Sequence, residues 1–374
     1  MTSMRPAVDP AVRLLLDALG TYSVSTKEER LSKLLRARMK ERGFKGVRTD
    51  KAGNAIGEVG SGRPHVLLCG HMDTVPGFIK PRVVGDRVYG RGASDAKSPM
   101  CAMLSAVSRG AVPEGMKVTM ACVTREEGDS LGVETLIAAG GDYDYAVFGE
   151  PAGAARITVG YRGRTAARVS VKTHGGHASS SWAHPSAVDE SLAIMSLIKE
   201  YEAKNTVVGD HFRSLSASLT VIRGGGYSNV VPKKCDMTFD VRIPPGRTSA
   251  GVKDDLAAIV GGYARMKGGL EAAVEFEGST EAYDAPLDSV VVRGFQRSIL
   301  KTLNTRPVLT HKTGTGDMNT LAERMKIPCL TYGPADSNLG HTEMEFVEIP
   351  DYLGSIRVIS GALLEIKGLH SRAG

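Results

Sequence analysis

Short apolar runs alternate with helical patterns over the first 150 residues of this chain. Residues 66–69, Lys117–Val123 and Tyr145–Phe148 are strand-length, apolar and bounded by Gly, Pro or charged residues. Between them, 97–108 and 132–139 carry apolar positions at helical spacing. Upstream, 10–19 predicts a helix, and Ser25 with Glu28 reads as a capping box opening a second helix through about Arg42. Residues 47–59 predict a strand hairpin around Lys51-Ala52-Gly53-Asn54, and 83–89 a shorter one around Gly85-Asp86. This alternation predicts an α/β fold with a mostly parallel mixed sheet and helices on both faces.

The pattern changes after Pro151. Residues 157–173 form one long alternating run; 186–203 and 249–266 are amphipathic; 215–222, 237–242 and 272–277 read as strands. This βαββαβ order predicts a small α+β sheet with two helices on one face. The first pattern then resumes, with helices at 289–303, 317–324 and 349–366 and strands at 308–311 and 329–332. The expected organisation is a discontinuous domain, 1–156 with 284–374, interrupted by an inserted domain, 157–283. Gly224-Gly225-Gly226 predicts a turn, and Gly314-Thr315-Gly316 lacks phosphate-loop spacing.

Composition narrows the function classes. No stretch of ~18 apolar residues predicts a membrane span, and residues 1–26 hold Arg5, Asp9, Arg13 and Asp17 within an apolar pattern, which reads as an amphipathic helix and not a signal peptide. Cys69, Cys101, Cys122, Cys235 and Cys329 lie in apolar surroundings without CxxC spacing, as expected of buried thiols in a cytoplasmic protein. The net charge of +6 and pI near 9.0 are spread along the chain without an aromatic binding motif, so nucleic acid is not an expected partner. Such a surface can still steer an acidic partner.

The chemistry gathers at strand ends. His71 and Asp73 follow the run 66–69 two residues apart, on one side of an extended chain. An imidazole is a good metal ligand, and a carboxylate two residues on can orient it. Asp95 ends a Gly-rich turn, Glu126-Glu127 follow Lys117–Val123, Glu150 follows Tyr145–Phe148, and His341 follows Gly340. A solitary strand-end His or Glu is usually just solvated, but in open α/β sheets ligands bind outside the carboxyl ends of the strands. His71, Asp95, Glu127, Glu150 and His341 are therefore expected around one crevice.

The segments Gly70-His71-Met72-Asp73-Thr74-Val75-Pro76, Gly90-Arg91-Gly92-Ala93-Ser94-Asp95, Glu126-Glu127-Gly128, Gly149-Glu150-Pro151, His174-Gly175-Gly176-His177-Ala178 and Gly340-His341-Thr342 resemble, in order, those of the M20 family of co-catalytic zinc amidohydrolases and aminoacylases. The resemblance implies a zinc-exopeptidase-like catalytic domain with an inserted dimerisation or lid domain. It implies two divalent metal ions, with zinc preferred and cobalt or manganese admitted by N/O ligands. Asp95 would bridge them, with His71 and Glu150 on one ion and Glu127 and His341 on the other. Glu126 would be the general base and Asp73 the orienter of His71; His177 would stabilise the oxyanion from a partner subunit in a homodimer. Arg242 and Asn229 would bind the substrate carboxylate, against ordinary readings as a strand charge and a turn residue.

After Lys97, Ser98-Pro99 departs from the glycines common in the family at that place. The stretch 311–319, with Thr315 as a further substrate-binding candidate, resembles the branch that releases lysine or ornithine from the glutamyl end of an acidic amino-group carrier protein. Asp317 is a candidate for the product cation, with helix capping as its alternative. Alternatives are deacylation of N-acetylornithine, N-acetyllysine or succinyl-diaminopimelate, and a non-catalytic binding relative.

Overall fold

The computed structural model describes residues 9–109 and 112–372; residues 1–8 of the expected N-terminal helix lie outside them. The chain divides into two compact units, the first comprising 1–159, 285–310 and 320–374, the second 160–284 and 311–319.

The first unit is α/β with a mixed sheet. Its strands run in the order Lys45–Thr49, Ala55–Gly60, Lys117–Val123, His65–His71, Tyr145–Phe148, Cys329–Thr331, Arg156–Tyr161, and Val308–Lys312 also pairs with the last of these. The four strands from Lys117–Val123 to Cys329–Thr331 are mutually parallel, and the flanking strands are antiparallel. His65–His71 sits inside this parallel set and is buried along its whole length, as its unbroken apolar run requires.

Helix Lys97–Arg109 packs on that strand closely enough that a Cβ on Gly70 would stand 3.0 Å from the Met100 side chain. Helices Val290–Leu303 and Ile349–His370 pack against each other, and the latter also packs on Lys97–Arg109. A small sheet, Phe346–Glu348, Arg87–Tyr89, Arg82–Val84, ties two ligand-bearing segments together, with Phe346 opposite Tyr89. Among the described residues no helix is long and apolar enough to cross a membrane. All five cysteines are free and buried.

The second unit has a four-stranded antiparallel sheet, ordered Ser216–Gly224, Lys234–Ile243, Gly163–Lys172, Glu271–Thr280, with the βαββαβ chain order read from the sequence. Ala167, Val169, Val171, Met237, Phe239 and Val241 face helices Ala187–Lys204 and Ser249–Lys267 in one core. Both helices start on a hydroxyl cap, Ser186 and Thr248. The alternate residues of Gly163–Lys172 make the open face.

Two expectations fail locally. The run 157–173 is two strands broken at Arg162, whose buried guanidinium bonds the Thr313 and Ser214 carbonyls at 3.0 and 3.1 Å. The capping box at Ser25 and Glu28 does not form. Helix Glu29–Glu41 has no side-chain cap bond. Ser25 Oγ instead donates to Asp73 Oδ2 at 2.7 Å, and Glu28 Oε1 accepts the Arg125 amide at 3.0 Å.

Candidate metal centre

Three strands, a helix start and a 3₁₀ turn of the first unit deliver the candidate ligands. His71 ends His65–His71; Glu126-Glu127 and Glu150 follow the two parallel neighbours; Asp95 precedes helix Lys97–Arg109. His341 follows a short 3₁₀ turn, Ser337–Leu339, and has φ of 64°. Their ligand atoms fall into two overlapping triads, His71, Asp95, Glu150 and Asp95, Glu127, His341, each within 4.8 Å.

Asp95 belongs to both triads through different oxygens. Its Oδ1 lies 3.3 Å from His71 Nε2, and its Oδ2 lies 3.5 Å from His341 Nε2. Glu150 Oε1 lies 3.9 Å from the same His71 nitrogen, and Glu127 Oε1 is 2.7 Å from His341 Nε2. Three carboxylates and two imidazoles, without sulfur, form a donor set suited to borderline divalent cations such as zinc, cobalt or manganese. The electrostatics point the same way. Burial disfavours the His71 cation, yet bonding to Asp73 and Asp95 and the charges of Glu126 and Glu150 raise its pKa well above the usual value. Burial and the neighbouring Asp95 raise the Glu127 carboxyl, against the pull of His71. A pocket this rich in acceptors favours positive charge.

Asp73 does more than the sequence suggested. His71 Nδ1 is 2.9 Å from the Asp73 carbonyl oxygen and 3.4 Å from its Oδ1. The wholly buried carboxylate also accepts the Glu126 amide on Oδ1 and the Glu127 amide on Oδ2, each at 3.1 Å. Burial pushes its pKa up, but bonds from His71, Ser25 and the Glu126 amide bring it below the usual range. One side chain thus fixes both the imidazole segment and the Glu126-Glu127 turn. That turn is entered through Arg125 at φ 62° and anchored by buried Asn54, whose Oδ1 accepts the Thr124 amide at 3.0 Å.

Two residues were missed. Glu345, 1% exposed, accepts the Ser94 and Asp95 amides on Oε1 at 3.0 and 2.9 Å, and Arg91 Nη1 on Oε2 at 3.0 Å. The same Arg91 nitrogen donates to the Thr342 carbonyl at 3.0 Å. This buried pair joins the backbone under Asp95 to the segment that carries His341. Three charged residues within Glu343-Met344-Glu345 and Arg91 offer no clue to that pairing, which arises from the small sheet. Lys97 is also buried, giving its ammonium to the Ala18 and Thr21 carbonyls at the end of helix Pro10–Gly20. Close approach is required at Gly340, where a Cβ would meet Asp95 Oδ2 at 3.0 Å.

The remaining candidates lie in the second unit. His177 is exposed, ends a two-stranded ribbon opposite Val230, and bonds Ser179 Oγ through Nδ1 at 2.8 Å. Asn229, also exposed, accepts the Ala178 amide on its carbonyl, so the ribbon brings it beside His177. Arg242 Nη1 donates to Thr315 Oγ1 at 3.2 Å, and Thr315 donates to the Arg162 carbonyl at 2.9 Å. Asp317 is buried as the first residue of helix Asp317–Met325.

The chain is 33% identical over 371 residues to the "[LysW]-lysine hydrolase" of Deinococcus radiodurans, covering 97% of this chain and 99% of that protein. It is 30% identical over 353 residues to the "[LysW]-lysine/[LysW]-ornithine hydrolase" of Sulfurisphaera tokodaii, covering 94% of each. Aminopeptidase PepT from Bacillus cereus has the same fold, with a TM-score of 0.82 at 17% identity over 96% of this chain and 98% of that one. Residues 67–365 match the model of peptidase family M20/M25/M40, and the chain belongs to that family of amide-bond hydrolases.

Proposed function

We propose that the protein hydrolyses the amide joining lysine or ornithine to the γ-carboxyl of the C-terminal glutamate of an acidic amino-group carrier protein, in the cytoplasm, as a step of lysine or arginine biosynthesis. The relatives named for LysW-linked substrates support this substrate, and the basic chain suits an acidic partner. The observation that carries the catalytic reading is Asp95, with one oxygen toward each imidazole-bearing triad.

His71, Asp95 and Glu150 would hold one divalent cation and Asp95, Glu127 and His341 a second, zinc being the preferred identity. Two such cations, when bound, polarise a carbonyl and make water more acidic. Glu126, held by its amide to Asp73, takes the proton of the attacking water and returns it to the departing α-amine of lysine or ornithine. Arg242, with Thr315 beside it and Asn229 in support, binds the carboxylate of that amino acid. His177 donates to the developing oxyanion from the second chain of a homodimer; a donor of this kind is worth ~10²–10³ in rate. Deacylation of acetylated lysine or ornithine remains the competing reading.

The test is turnover of lysine-loaded carrier against N-acetyllysine, with metal content measured on the same sample. Preferred cleavage of the carrier and two ions per chain are expected; equal or faster cleavage of acetyllysine would overturn the substrate. Glu126→Gln is expected to keep both ions and lose at least ~10²-fold in kcat; unchanged turnover would remove Glu126 from its role.

A further inference from the structure

Two guanidiniums of the second unit bond one carboxylate, and a third lies within reach of its charge. Arg242 and Arg164 are directly opposite each other on antiparallel strands, on the open face of the sheet. Arg242 Nε donates to Asp240 Oδ1 at 2.6 Å and Arg164 Nε donates to Asp240 Oδ2 at 2.7 Å. Arg162 is the third; the charge of Arg242 reaches it and, after burial, lowers its pKa further. Among the described residues, Asp240 is the one acid in an ion pair with any of the three.

This arrangement is costly for stability alone. Like charges directly opposite on a sheet repel. Elsewhere on the same face Arg168 pairs with Glu277 at 2.8 Å and Lys234 with Asp236 at 2.7 Å, while Lys172, opposite Lys234, is in no ion pair among the described residues. Three positive charges against one negative leave an excess of two. Asp240 engages both arginines by the Nε edge, which fixes the two planes and leaves the η nitrogens of Arg164, half exposed, without a protein partner among the described residues. An η edge held this way suits a carboxylate.

The substrate proposed above supplies two carboxylates. A C-terminal glutamate amidated at its γ-carboxyl keeps its α-carboxylate, and the attached lysine or ornithine keeps its own. Five bonds separate the two α-carbons, roughly 6 Å when extended. Side chains directly opposite on a sheet are spaced ~5 Å at Cβ. We infer that Arg164 and Arg242 form a two-carboxylate reader, with Arg242 on the amino acid to be released and Arg164 on the α-carboxylate of the carrier's glutamate. Arg164 is then a specificity residue that favours γ-glutamyl amides over acetyl amides, which have a single carboxylate. This rests on the substrate reading above.

The test uses the intact enzyme and two probes that differ by that one carboxylate, Nα-acetyl-γ-glutamyl-lysine and 4-acetamidobutanoyl-lysine, each linked to the α-amine. Wild type is expected to prefer the first by on the order of 10- to 100-fold in kcat/KM, the range for a bond between charged groups. Arg164→Gln should bring this ratio near one by slowing the first probe alone, Arg164→Lys should restore part of it, and Arg242→Gln should slow both probes alike. Equal wild-type rates on the two probes, which need no variant, would overturn the inference, as would a ratio that survives Arg164→Gln. Cleavage of N-acetyllysine with neither probe turned over would instead strike down the carrier reading, and this one with it.

Discussion

Glu345→Gln isolates the part of the centre that touches no reacting atom. The wild-type carboxylate is 1% exposed and holds two backbone amides and a guanidinium that is itself 8% exposed at the side chain. In the variant the amide oxygen can still face the Ser94 and Asp95 amides. Its nitrogen then faces Arg91 Nη1, donor against donor, and leaves a buried cation without its acid. Breaking a buried pair from one side costs about 3–5 kcal/mol, a large share of the ~5–15 kcal/mol that holds a typical domain. Urea unfolding of chelator-treated protein should show that loss. Because Asp95 sits in both triads, titration calorimetry with zinc should show both sites weakened together, by about 10- to 100-fold, the usual effect of removing a group that orients a ligand. Adding Arg91→Met to Glu345→Gln removes the stranded cation and should return part of the stability without returning metal affinity. A single variant within about 0.5 kcal/mol of wild type and with unchanged zinc binding would refute the clamp.

Two further outcomes follow from local geometry. Gly340→Ala would put a methyl 3.0 Å from Asp95 Oδ2, so calorimetry should show weaker zinc binding with little change in the stability of metal-free protein; unaltered affinity would mean the loop yields freely. His65, far along its strand from His71, is held neutral: burial and the charge of Lys117 lower its pKa from 6.5 to about 4. Between those values the unfolded chain binds the extra proton, so stability should fall as pH drops from 6.5 toward 4, by on the order of 2–3 kcal/mol. His65→Gln should flatten that slope in metal-free protein, and an unchanged slope would clear His65.

Much of this was legible because the period of the apolar pattern and the punctuation by Gly and Pro are local properties. The strand end at His71, the hairpin at 51–54 and the βαββαβ run needed no tertiary knowledge. What stayed hidden were residues whose partner is set by the fold. Ser25 and Glu28 match a capping box, yet their side chains go to Asp73 and to the Arg125 amide, tertiary bonds that outcompete the local cap. Arg162 sits in an alternating run that predicts one strand, but its buried guanidinium needs carbonyl acceptors from 214 and 313, and the strand breaks there. The same bonds draw 311–319 into the second unit, although its place in the sequence is between elements of the first.

Asp73 and Glu345 show why ligand motifs alone under-describe such a centre. Each is a buried carboxylate that spends its oxygens on backbone amides of ligand-bearing turns: Glu126 and Glu127 for one, Ser94 and Asp95 for the other. An amide held at both ends of a turn fixes the turn's path, so the side chains it carries are placed before any cation arrives. That matters because Asp95, Glu127 and Glu150 repel one another and would spread apart on flexible loops. His71 lies beside the Asp73 carboxylate and Arg91 pairs with Glu345, so neither anion is left unpaired in the interior. Two acidic side chains outside the ligand set therefore carry the rigidity on which both triads depend, and replacing either should loosen ligands on different strands at once.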